Sequence, residues 1–294
     1  MAKEVNLTSK ELASILANKK MIGAGTEGAC FAVNNEIYKI YHNTNGETVT
    51  KAHATYDDDG VRVFDINEIR KNKINDPSVA IKYTDKYGTK LSMEDGLNRA
   101  IEKGNKVVKT KLPTKVLYVD GKVKGCVYPY FKHTQSIYAA YKKTYKTRLQ
   151  ICKKLIERVK ELIANNIYPV DLCQKGEKSL YDKSIVNVLL DWRNNPIIID
   201  LEGKSTIYTE AYDERLEEIA VGTLATLVLE ILSREDIQED LVDENYYEVE
   251  RYLKELGLTY EQYESFIDNT LKMDDLEAIL SNIEETRENK GRGL

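Results

Sequence analysis

Residues 187–203 read NVLLDWRNNPIIIDLEG and decide how the chain is interpreted. Two apolar runs flank the turn WRNNP, a pattern that predicts a β-hairpin. Asn187 and Asp200 stand at the two ends of this hairpin, 13 residues apart. Mg²⁺ prefers oxygen ligands such as carboxylates and amides, and a hairpin brings its two ends together. The stretch therefore suggests a metal site, although an Asn and an Asp also flank hairpins by chance.

A glycine-rich loop near the N-terminus adds a second signal. Gly23, Gly25 and Gly28 form a G-x-G-x-x-G within GAGTEGA, and such loops allow backbone amides to approach phosphate oxygens closely. A dinucleotide fingerprint would require a helix directly afterwards. ACFAV and IYKIY follow instead and predict strands. A phosphate-binding loop and a glycine-containing hairpin without function both remain open.

Lys39 lies in IYKIY, on the second strand after this loop. Strand alternation places Ile37, Lys39 and Tyr41 on one face. An ammonium group among apolar side chains is costly unless an anion meets it, so a phosphate or a carboxylate is expected nearby. The alternative is an edge strand on which the lysine extends its charged end into water.

Asp171, in the segment IYPVDL, completes an order of residues across the chain: glycine loop, Lys39, Asp171, Asn187 and Asp200. In this order the chain resembles the protein-kinase-like superfamily. GAGTEG with Lys39 resembles the family's phosphate-covering loop and strand lysine, NVLLD its metal-binding catalytic-loop end, and DLEG its D-F-G. The resemblance covers roughly residues 20–232. It implies an α+β, bilobal fold with a small antiparallel β-sheet N-lobe and a larger, mainly helical C-lobe.

The resemblance also implies roles for these residues. Lys39 would contact the α- and β-phosphates of ATP, and Asn187 and Asp200 would hold Mg²⁺. Asp171 would accept or orient the proton of the attacking hydroxyl. Phosphoryl transfer depends mainly on positioning and charge neutralisation, so these four side chains would suffice.

The family pairs its strand lysine with a glutamate from a helix, and its hinge contacts adenine. By spacing, Glu102 is the predicted partner of Lys39, with Glu94 and Glu68 as alternatives; all three could instead be solvated surface charges. The segment YPYF, which contains Tyr128 and Tyr130, resembles the hinge.

The sequence departs from the family pattern around the catalytic loop. Tyr-Pro-Val precedes Asp171 where the family has His-Arg, and Asp171 is 16 residues from Asn187, whereas the family spacing is about five. The insertion CQKGEKSLYDK is therefore expected to loop out; otherwise Asp171 is only a polar residue at a strand end. Residues 203–213 are few and contain no A-P-E, the family's platform for peptide substrates.

These departures indicate a compact kinase that resembles aminoglycoside and small-metabolite phosphotransferases, or an atypical bacterial or phage-type protein kinase. The predicted function is ATP- and Mg²⁺-dependent transfer of the γ-phosphate to a hydroxyl of a protein or small molecule. Two alternatives remain open: a pseudokinase that binds nucleotide or a partner without transfer, and transfer of the nucleotide itself. The sequence does not identify the acceptor.

Local patterns predict the organisation of the chain. Thr8 and Glu11 form a capping box at the start of a helix, and Asp120-Gly121 marks a hairpin. Apolar residues at helical spacing in residues 147–166 predict a long amphipathic helix, and residues 217–232 a buried one. The predicted divisions are an N-terminal helix at 1–20, an N-lobe at 21–131 with an insertion at about 42–92, a helical C-lobe at 132–286 and a frayed tail at 287–294.

Composition excludes several partner classes. The 294 residues include 43 Lys and Arg and 48 Asp and Glu, a net charge of −5, which gives no general attraction to nucleic acid or to an acidic membrane surface. Apolar runs such as 221–232 are shorter than the roughly 20 residues that span a bilayer. Lys3 and Glu4 stand where a secretion signal would be apolar, which predicts a cytoplasmic protein. The four cysteines are scattered and predict buried free thiols.

Overall fold

The structure is a computed structural model of the full chain. It describes residues 3–24, 28–41, 55–56, 62–63, 83–84, 90–91, 93–170, 172–173, 187–202, 206–209, 211–233, 250–251, 253–254, 256–262 and 270–292.

The chain forms two compact units. The first contains Met1–Lys132 and Asp200–Tyr208, and the second contains His133–Ile199 and Thr209–Leu294. The first unit is built around a β-sheet and the second is mainly helical, so the predicted α+β class is confirmed. The D-L-E segment, residues 200–202, belongs to the sheet-rich unit although it follows the hairpin of the helical one.

The regular elements of the first unit are β1 (Lys3–Leu7), α1 (Ser9–Asn18), β2 (Met21–Ala24), β3 (Gly28–Val33), β4 (Glu36–Tyr41), β5 (Thr55–Tyr56), β6 (Arg62–Val63), β7 (Tyr83–Thr84), β8 (Lys90–Leu91), α2 (Met93–Gly104), β9 (Lys115–Val119), β10 (Lys122–Pro129) and β15 (Thr206–Tyr208). Those of the second unit are β11 (Gln135–Ser136), a 3₁₀-helix (Ile137–Lys142), α3 (Tyr145–Ala164), β12 (Ile167–Pro169), β13 (Val188–Leu190), β14 (Pro196–Ile198), α4 (Glu214–Ser233) and α5 (Met273–Arg292).

The main sheet of the first unit has six strands in the order β1-β9-β10-β4-β3-β2. Every pair is antiparallel except β1 and β9, which run parallel from Lys3↔Lys115 to Leu7↔Val119. The sheet is therefore mixed, whereas a purely antiparallel sheet preceded by a helix was predicted. The segment KEVNL is too short to show a strand pattern, and its partner lies more than a hundred residues away.

The capping box at the first helix is confirmed. The Thr8 hydroxyl accepts a hydrogen bond from the Glu11 backbone, and the Glu11 carboxylate accepts one from Thr8 N at 2.7 Å. Leu12 and Ile15 of α1 then pack on one face of the sheet, against Phe31 and Ile40 among other apolar residues.

The predicted turn at Asp120-Gly121 joins β9 to β10. Both residues have positive φ, 48° and 76°, as a two-residue turn between twisted antiparallel strands requires. Gly121 adopts this backbone without a side-chain clash, and Asp is among the residues that tolerate it.

The second unit confirms the predicted helices. The predicted apolar stripe is buried in α3, and nearly every residue of α4 from Ala220 to Leu232 is buried. The stripe consists of Leu149, Cys152, Leu155, Ile156, Val159, Leu162 and Ile163. Buried Arg148 donates to the Ile231 carbonyl at 2.8 Å and to the Leu232 carbonyl, so it caps the C-terminal end of α4. The α5 helix continues to Arg292, beyond the start of the predicted frayed tail.

Most of the predicted insertion at 42–92 lies outside the described residues. Its described parts are the two short antiparallel pairs β5–β6 and β7–β8. Across the described part of the chain, no helix is both long and apolar enough to cross a membrane.

Candidate functional site

Lys39 lies in the interior of the main sheet. Its strand, β4, is flanked by β3 and β10, and its register partners are Cys30 on one side and Cys126 on the other. The residue is only 6% exposed. An edge strand with a solvated lysine, one of the two alternatives for IYKIY, does not describe this position.

The ammonium group of Lys39 forms ion pairs with two carboxylates of the D-L-E segment. One is Asp200, whose Oδ1 accepts a hydrogen bond from Lys39 Nζ. The other is Glu202, whose Oε1 lies 2.5 Å from the same nitrogen. The sheet-rich unit thus brings together Lys39 and Asp200, two predicted site residues that are 161 positions apart in the sequence.

Glu202 was not recognised as a functional residue from the sequence. It is 0% exposed, and among the described residues neither of its carboxylate oxygens has a hydrogen-bond donor in good geometry, although the Lys39 ammonium is close enough to Oε1 for an ion pair. A buried carboxylate without such a counter-charge would be strongly destabilising. The sequence offered no alternation signal for it, because residues 200–202 are not a strand and Asp200 has a left-handed backbone.

The two cysteines beside Lys39 are held as thiols. Burial raises the pKa of Cys30 to about 12, with Glu202 and Asp200 adding to the rise and Lys39 opposing it. Burial also raises the pKa of Cys126 well above its usual value, again with a contribution from Glu202. All four cysteines of the chain are free, as predicted, and Cys30 is the one that is partly exposed. Low-pKa, nucleophilic chemistry is therefore not expected at these two thiols.

The glycines of the loop have different structural requirements. A Cβ on Gly28 would lie 2.5 Å from the carbonyl oxygen of Ile40, so the close approach of β3 and β4 requires glycine there. A Cβ on Gly23 would meet nothing within 4 Å, so packing does not require glycine at that position. Gly25 lies outside the described residues. Both Gly23 and Gly28 remain predicted phosphate-loop residues.

Asp200 has a backbone conformation that is uncommon for a residue with a side chain. Its φ is +61°, and its carboxylate side chain is 27% exposed. Aspartate tolerates this region better than most residues, but the conformation still carries strain, and such strain concentrates at functional sites. The exposed fraction leaves part of the carboxylate accessible while one oxygen holds Lys39.

The second unit contains the predicted hairpin. Strands β13 and β14 pair from Val188↔Ile198 to Leu190↔Pro196, and the N–H of Ile199 donates to the Asn187 carbonyl at 2.9 Å. Asn187 is therefore bonded to the residue that directly precedes Asp200.

A second backbone hydrogen bond fixes the start of this hairpin. The N–H of Asn187 donates to the Leu172 carbonyl at 3.0 Å. Leu172 and Asn187 are therefore neighbours although 15 positions separate them in the sequence. Cys173 is held as well, since its thiol donates to the Thr223 carbonyl at 3.3 Å. The rest of the predicted insertion, residues 174–183, lies outside the described residues.

Asp171, the predicted catalytic carboxylate, lies outside the described residues. Its neighbours are placed: Leu172 is bonded to Asn187, and Tyr168 is completely buried. The Tyr168 hydroxyl accepts a hydrogen bond from the N–H of Asp213 at 2.8 Å. Tyr168 thus links the segment before Asp171 to the start of α4.

Comparison with solved structures identifies the type of fold. In total, 269 chains of solved structures match. One is the structure of the apo GRMZM2G135359 pseudokinase, which superposes with a TM-score of 0.51 at 12% identity, over 97% of this chain and 94% of that one. The fold is kinase-like. No family model matches the sequence, and neither does any curated protein.

In this kinase-like fold, the helix that precedes the β9–β10 hairpin is α2. Glu102, the predicted helix partner of Lys39, is exposed on α2. Glu94, an alternative, accepts a hydrogen bond from the Tyr118 hydroxyl at 2.8 Å. Glu68 lies outside the described residues. Among the described residues, Lys39 forms ion pairs with Asp200 and Glu202 of the D-L-E segment.

The predicted hinge residues lie at the end of β10: Tyr128 is within the strand, and Tyr130 directly follows it. Tyr128 is 5% exposed and belongs to the apolar cluster on the Lys39 side of the sheet, while Tyr130 packs against the same cluster. The Tyr128 hydroxyl is buried without a hydrogen-bond partner among the described residues. Adenine contact by this segment stays a prediction.

The oxygen-rich donor set suits Mg²⁺. The described residues contain no cluster of three or more His, Cys, Asp or Glu side chains arranged to hold a metal ion. Mg²⁺ is commonly held by only one or two protein carboxylates, with phosphate oxygens and water completing the shell. Asp200 would supply one such carboxylate, and the amide of Asn187 is the other predicted ligand.

Proposed function

We propose that the protein is an ATP- and Mg²⁺-dependent phosphotransferase that moves the γ-phosphate to a hydroxyl of a protein or small molecule. The observation that supports this most strongly is the ion pair between the buried Lys39 and the partly exposed Asp200. Burying a lysine within a sheet is costly. The acid that pairs with Lys39 is Asp200, which the D-F-G resemblance assigns to the metal. A lysine with only a structural role would not require this particular partner.

Each residue has a role in this proposal. Lys39 contacts the α- and β-phosphates, and Asn187 and Asp200 supply oxygen ligands for Mg²⁺. Bound Mg²⁺ would neutralise phosphate charge and orient the triphosphate. Asp171 receives or orients the proton of the acceptor hydroxyl. The hydrogen bond between Asn187 and Leu172 supports this last role, because Leu172 is the residue that follows Asp171 in the sequence.

The charges around Lys39 predict that nucleotide binding depends on Mg²⁺. When ionised, Lys39 contributes one positive charge, and Asp200 and Glu202 contribute one negative charge each, so the three sum to −1. A bare triphosphate is not attracted to such a group. Mg²⁺ would change the sum to +1, so nucleotide binding should require the metal.

The first experiment measures binding by thermal unfolding. Saturating Mg·ATP should raise the melting temperature, since free ligand at about 100 times its Kd stabilises by about 2.7 kcal/mol. ATP with EDTA should give no rise, and Asp200→Asn should abolish the Mg-dependent part. Asp274→Asn, at a 93% exposed aspartate on α5, is the matched control and should behave as wild type. A wild-type protein that shows no shift with Mg·ATP would remove the proposal.

The second experiment tests transfer. The protein is incubated with labelled ATP and panels of hydroxyl acceptors, namely aminoglycosides, small metabolites and protein substrates, and products are measured by mass spectrometry. Asp171→Asn should keep Mg·ATP binding and lose turnover. A product that carries the nucleotide instead of a phosphate would identify nucleotidyl transfer. The shortness of residues 203–213 favours small acceptors over extended peptides.

A pseudokinase is the second candidate function. It is favoured by the similarity to a solved pseudokinase and by the two carboxylates that already neutralise Lys39. In that case Mg·ATP or a partner would bind, and no acceptor would gain a phosphate in either wild type or Asp171→Asn.

A further inference from the structure

Glu202 contacts the ammonium group of Lys39 and could therefore fix the position of that group. We infer that Glu202, and not a glutamate of α2, anchors the Lys39 ammonium for nucleotide binding. This inference rests on the proposed function for its role toward ATP, but the anchoring itself is a property of the protein without ligand.

The contact is short and fully enclosed. Lys39 Nζ lies 2.5 Å from Glu202 Oε1, and the side chains are 8% and 0% exposed. In so dry an environment, the attraction between opposite charges is much stronger than at the surface. The side chain of Asp200, by contrast, is 27% exposed. The two acids can therefore divide two tasks: Glu202 holds the lysine, and Asp200 faces the metal.

The α2 glutamates are placed for other roles. Glu102 is exposed, and Glu94 accepts a hydrogen bond from the Tyr118 hydroxyl at 2.8 Å. Neither is buried, whereas Glu202 is. A surface ion pair from an exposed glutamate would contribute little to the orientation of a buried ammonium.

This arrangement joins the lysine anchor and the metal ligand in one short segment. Glu202 follows Asp200 by two residues, so any displacement of the segment moves both carboxylates together. The position of Lys39 would then depend on residues 200–202 and be insensitive to α2. A kinase-like protein built this way would not be switched off by displacing its helix alone.

The test measures how reactive the Lys39 amine is, with no nucleotide present. The folded protein is labelled at about pH 8 with trace acetic anhydride, and modification of Lys39 is quantified by mass spectrometry relative to exposed lysines. Loss of the contact to Glu202 allows the Lys39 ammonium group to turn from the sheet interior toward solvent, so Glu202→Gln should raise Lys39 labelling roughly threefold or more. Glu102→Gln and Glu94→Gln are the matched controls and should leave it unchanged. Increased labelling in either control, with none in Glu202→Gln, would overturn the inference.

A stability cycle covers the case in which Glu202→Gln folds poorly. In Lys39→Met the Glu202 carboxylate loses its counter-charge, so adding Glu202→Gln to that background should raise the melting temperature. If the two residues are not coupled, Glu202→Gln will lower the melting temperature equally in both backgrounds, and that result excludes an anchoring role. Glu202→Asp, which retains the charge, should show labelling between wild type and Glu202→Gln.

A nucleotide arm separates this inference from the proposed function. Mg·ATP affinity should fall about tenfold or more in Glu202→Gln, corresponding to about 1.4 kcal/mol, and stay within about twofold in Glu102→Gln. If wild type binds no Mg·ATP, the proposed function fails while the labelling result still decides whether Glu202 anchors Lys39. If Mg·ATP binds equally well to wild type and Glu202→Gln, the positioning role fails while the proposed function stands.

Discussion

The two faces of the six-stranded sheet share the same strands and differ in the charge that they bury. On the α1 side, the cluster that contains Phe31, Tyr38 and Ile40 consists of hydrophobic residues. The other side also buries a hydrophobic cluster, but there the alternate residues of the same strands include Cys30, Lys39 and Cys126, with Glu202 and Asp200 at the ammonium group. The buried charged group therefore distinguishes the second face from the first.

This difference suggests that the α1 face mainly stabilises the fold, whereas the Lys39 face carries the groups proposed to bind nucleotide. The α1 face contributes hydrophobic burial, which is proportional to the apolar area removed from water. The Lys39 face gives up part of that gain to hold a charged group, and the apolar face helps the unit to tolerate the loss. Variants on the first face should therefore affect unfolding alone, and variants on the second should affect nucleotide binding as well.

The largest expected effect is on the apolar face. Phe31 is 1% exposed, and Phe31→Ala should destabilise the protein by about 4 kcal/mol, because it removes buried contacts and leaves a cavity. Urea unfolding measures this loss. Mg·ATP affinity, determined where the variant is folded, should stay close to wild type. A large fall in affinity would show that the two faces are not separable.

The next effect is on the Lys39 face. Lys39→Met should cost about 3 kcal/mol, since it leaves the buried Glu202 carboxylate without its counter-charge. Lys115→Met is the matched control on the same sheet: its ion pair with Glu36, at 2.6 Å, is more than a quarter exposed on both sides. That loss should be below about 1 kcal/mol by urea unfolding. Similar losses in the two variants would mean that the burial of Lys39 carries no special energetic weight.

A smaller effect distinguishes two glycines of the loop. Gly28→Ala places a Cβ 2.5 Å from the Ile40 carbonyl oxygen and should cost about 1–3 kcal/mol. Gly23→Ala meets nothing within 4 Å and should leave the melting temperature unchanged. If Gly23→Ala nevertheless weakens Mg·ATP binding, measured by isothermal titration calorimetry, the glycine is required for the phosphate and not for the fold.

The smallest effect concerns pH. The pKa of Cys30 is raised from 9.0 to about 12, so its thiol form contributes stability that is fully present below pH 9 and is lost as the pH rises toward 12. Cys30→Ala removes this contribution, so wild type should lose more stability than the variant between pH 9 and 10.5. Because Cys30 is partly exposed, the difference should stay below about 1 kcal/mol. If wild type and Cys30→Ala lose the same stability with pH in urea unfolding, the raised pKa of Cys30 is contradicted.

Local signals in the sequence predicted several elements correctly. The Thr8 and Glu11 capping box, the turn at Asp120-Gly121 and the apolar stripe of α3 each depend on residues within a few positions of one another. The fold class followed from the order of Lys39 and the D-L-E segment. These features are readable because their physical causes are local or occur as a fixed series along the chain.

The features that were missed depend on distant parts of the chain. Strand β1 pairs with β9 across more than a hundred residues, and KEVNL carries no periodic pattern of its own. Glu202 became the partner of Lys39 because the D-L-E segment returns to the sheet, whereas the family resemblance directed attention to Glu102 on a helix. Neither the return of a segment nor the burial of one carboxylate can be read from neighbouring residues.

The hydrogen bond between Leu172 and Asn187 also makes the chain tolerant to changes in length. Because both ends of the intervening segment are fixed at one point, the residues between them can be shortened or extended without altering the hairpin that follows. Doubling a flexible loop costs only about 0.6 kcal/mol in closure entropy. A foreign peptide or a whole domain inserted there should leave the hairpin in register.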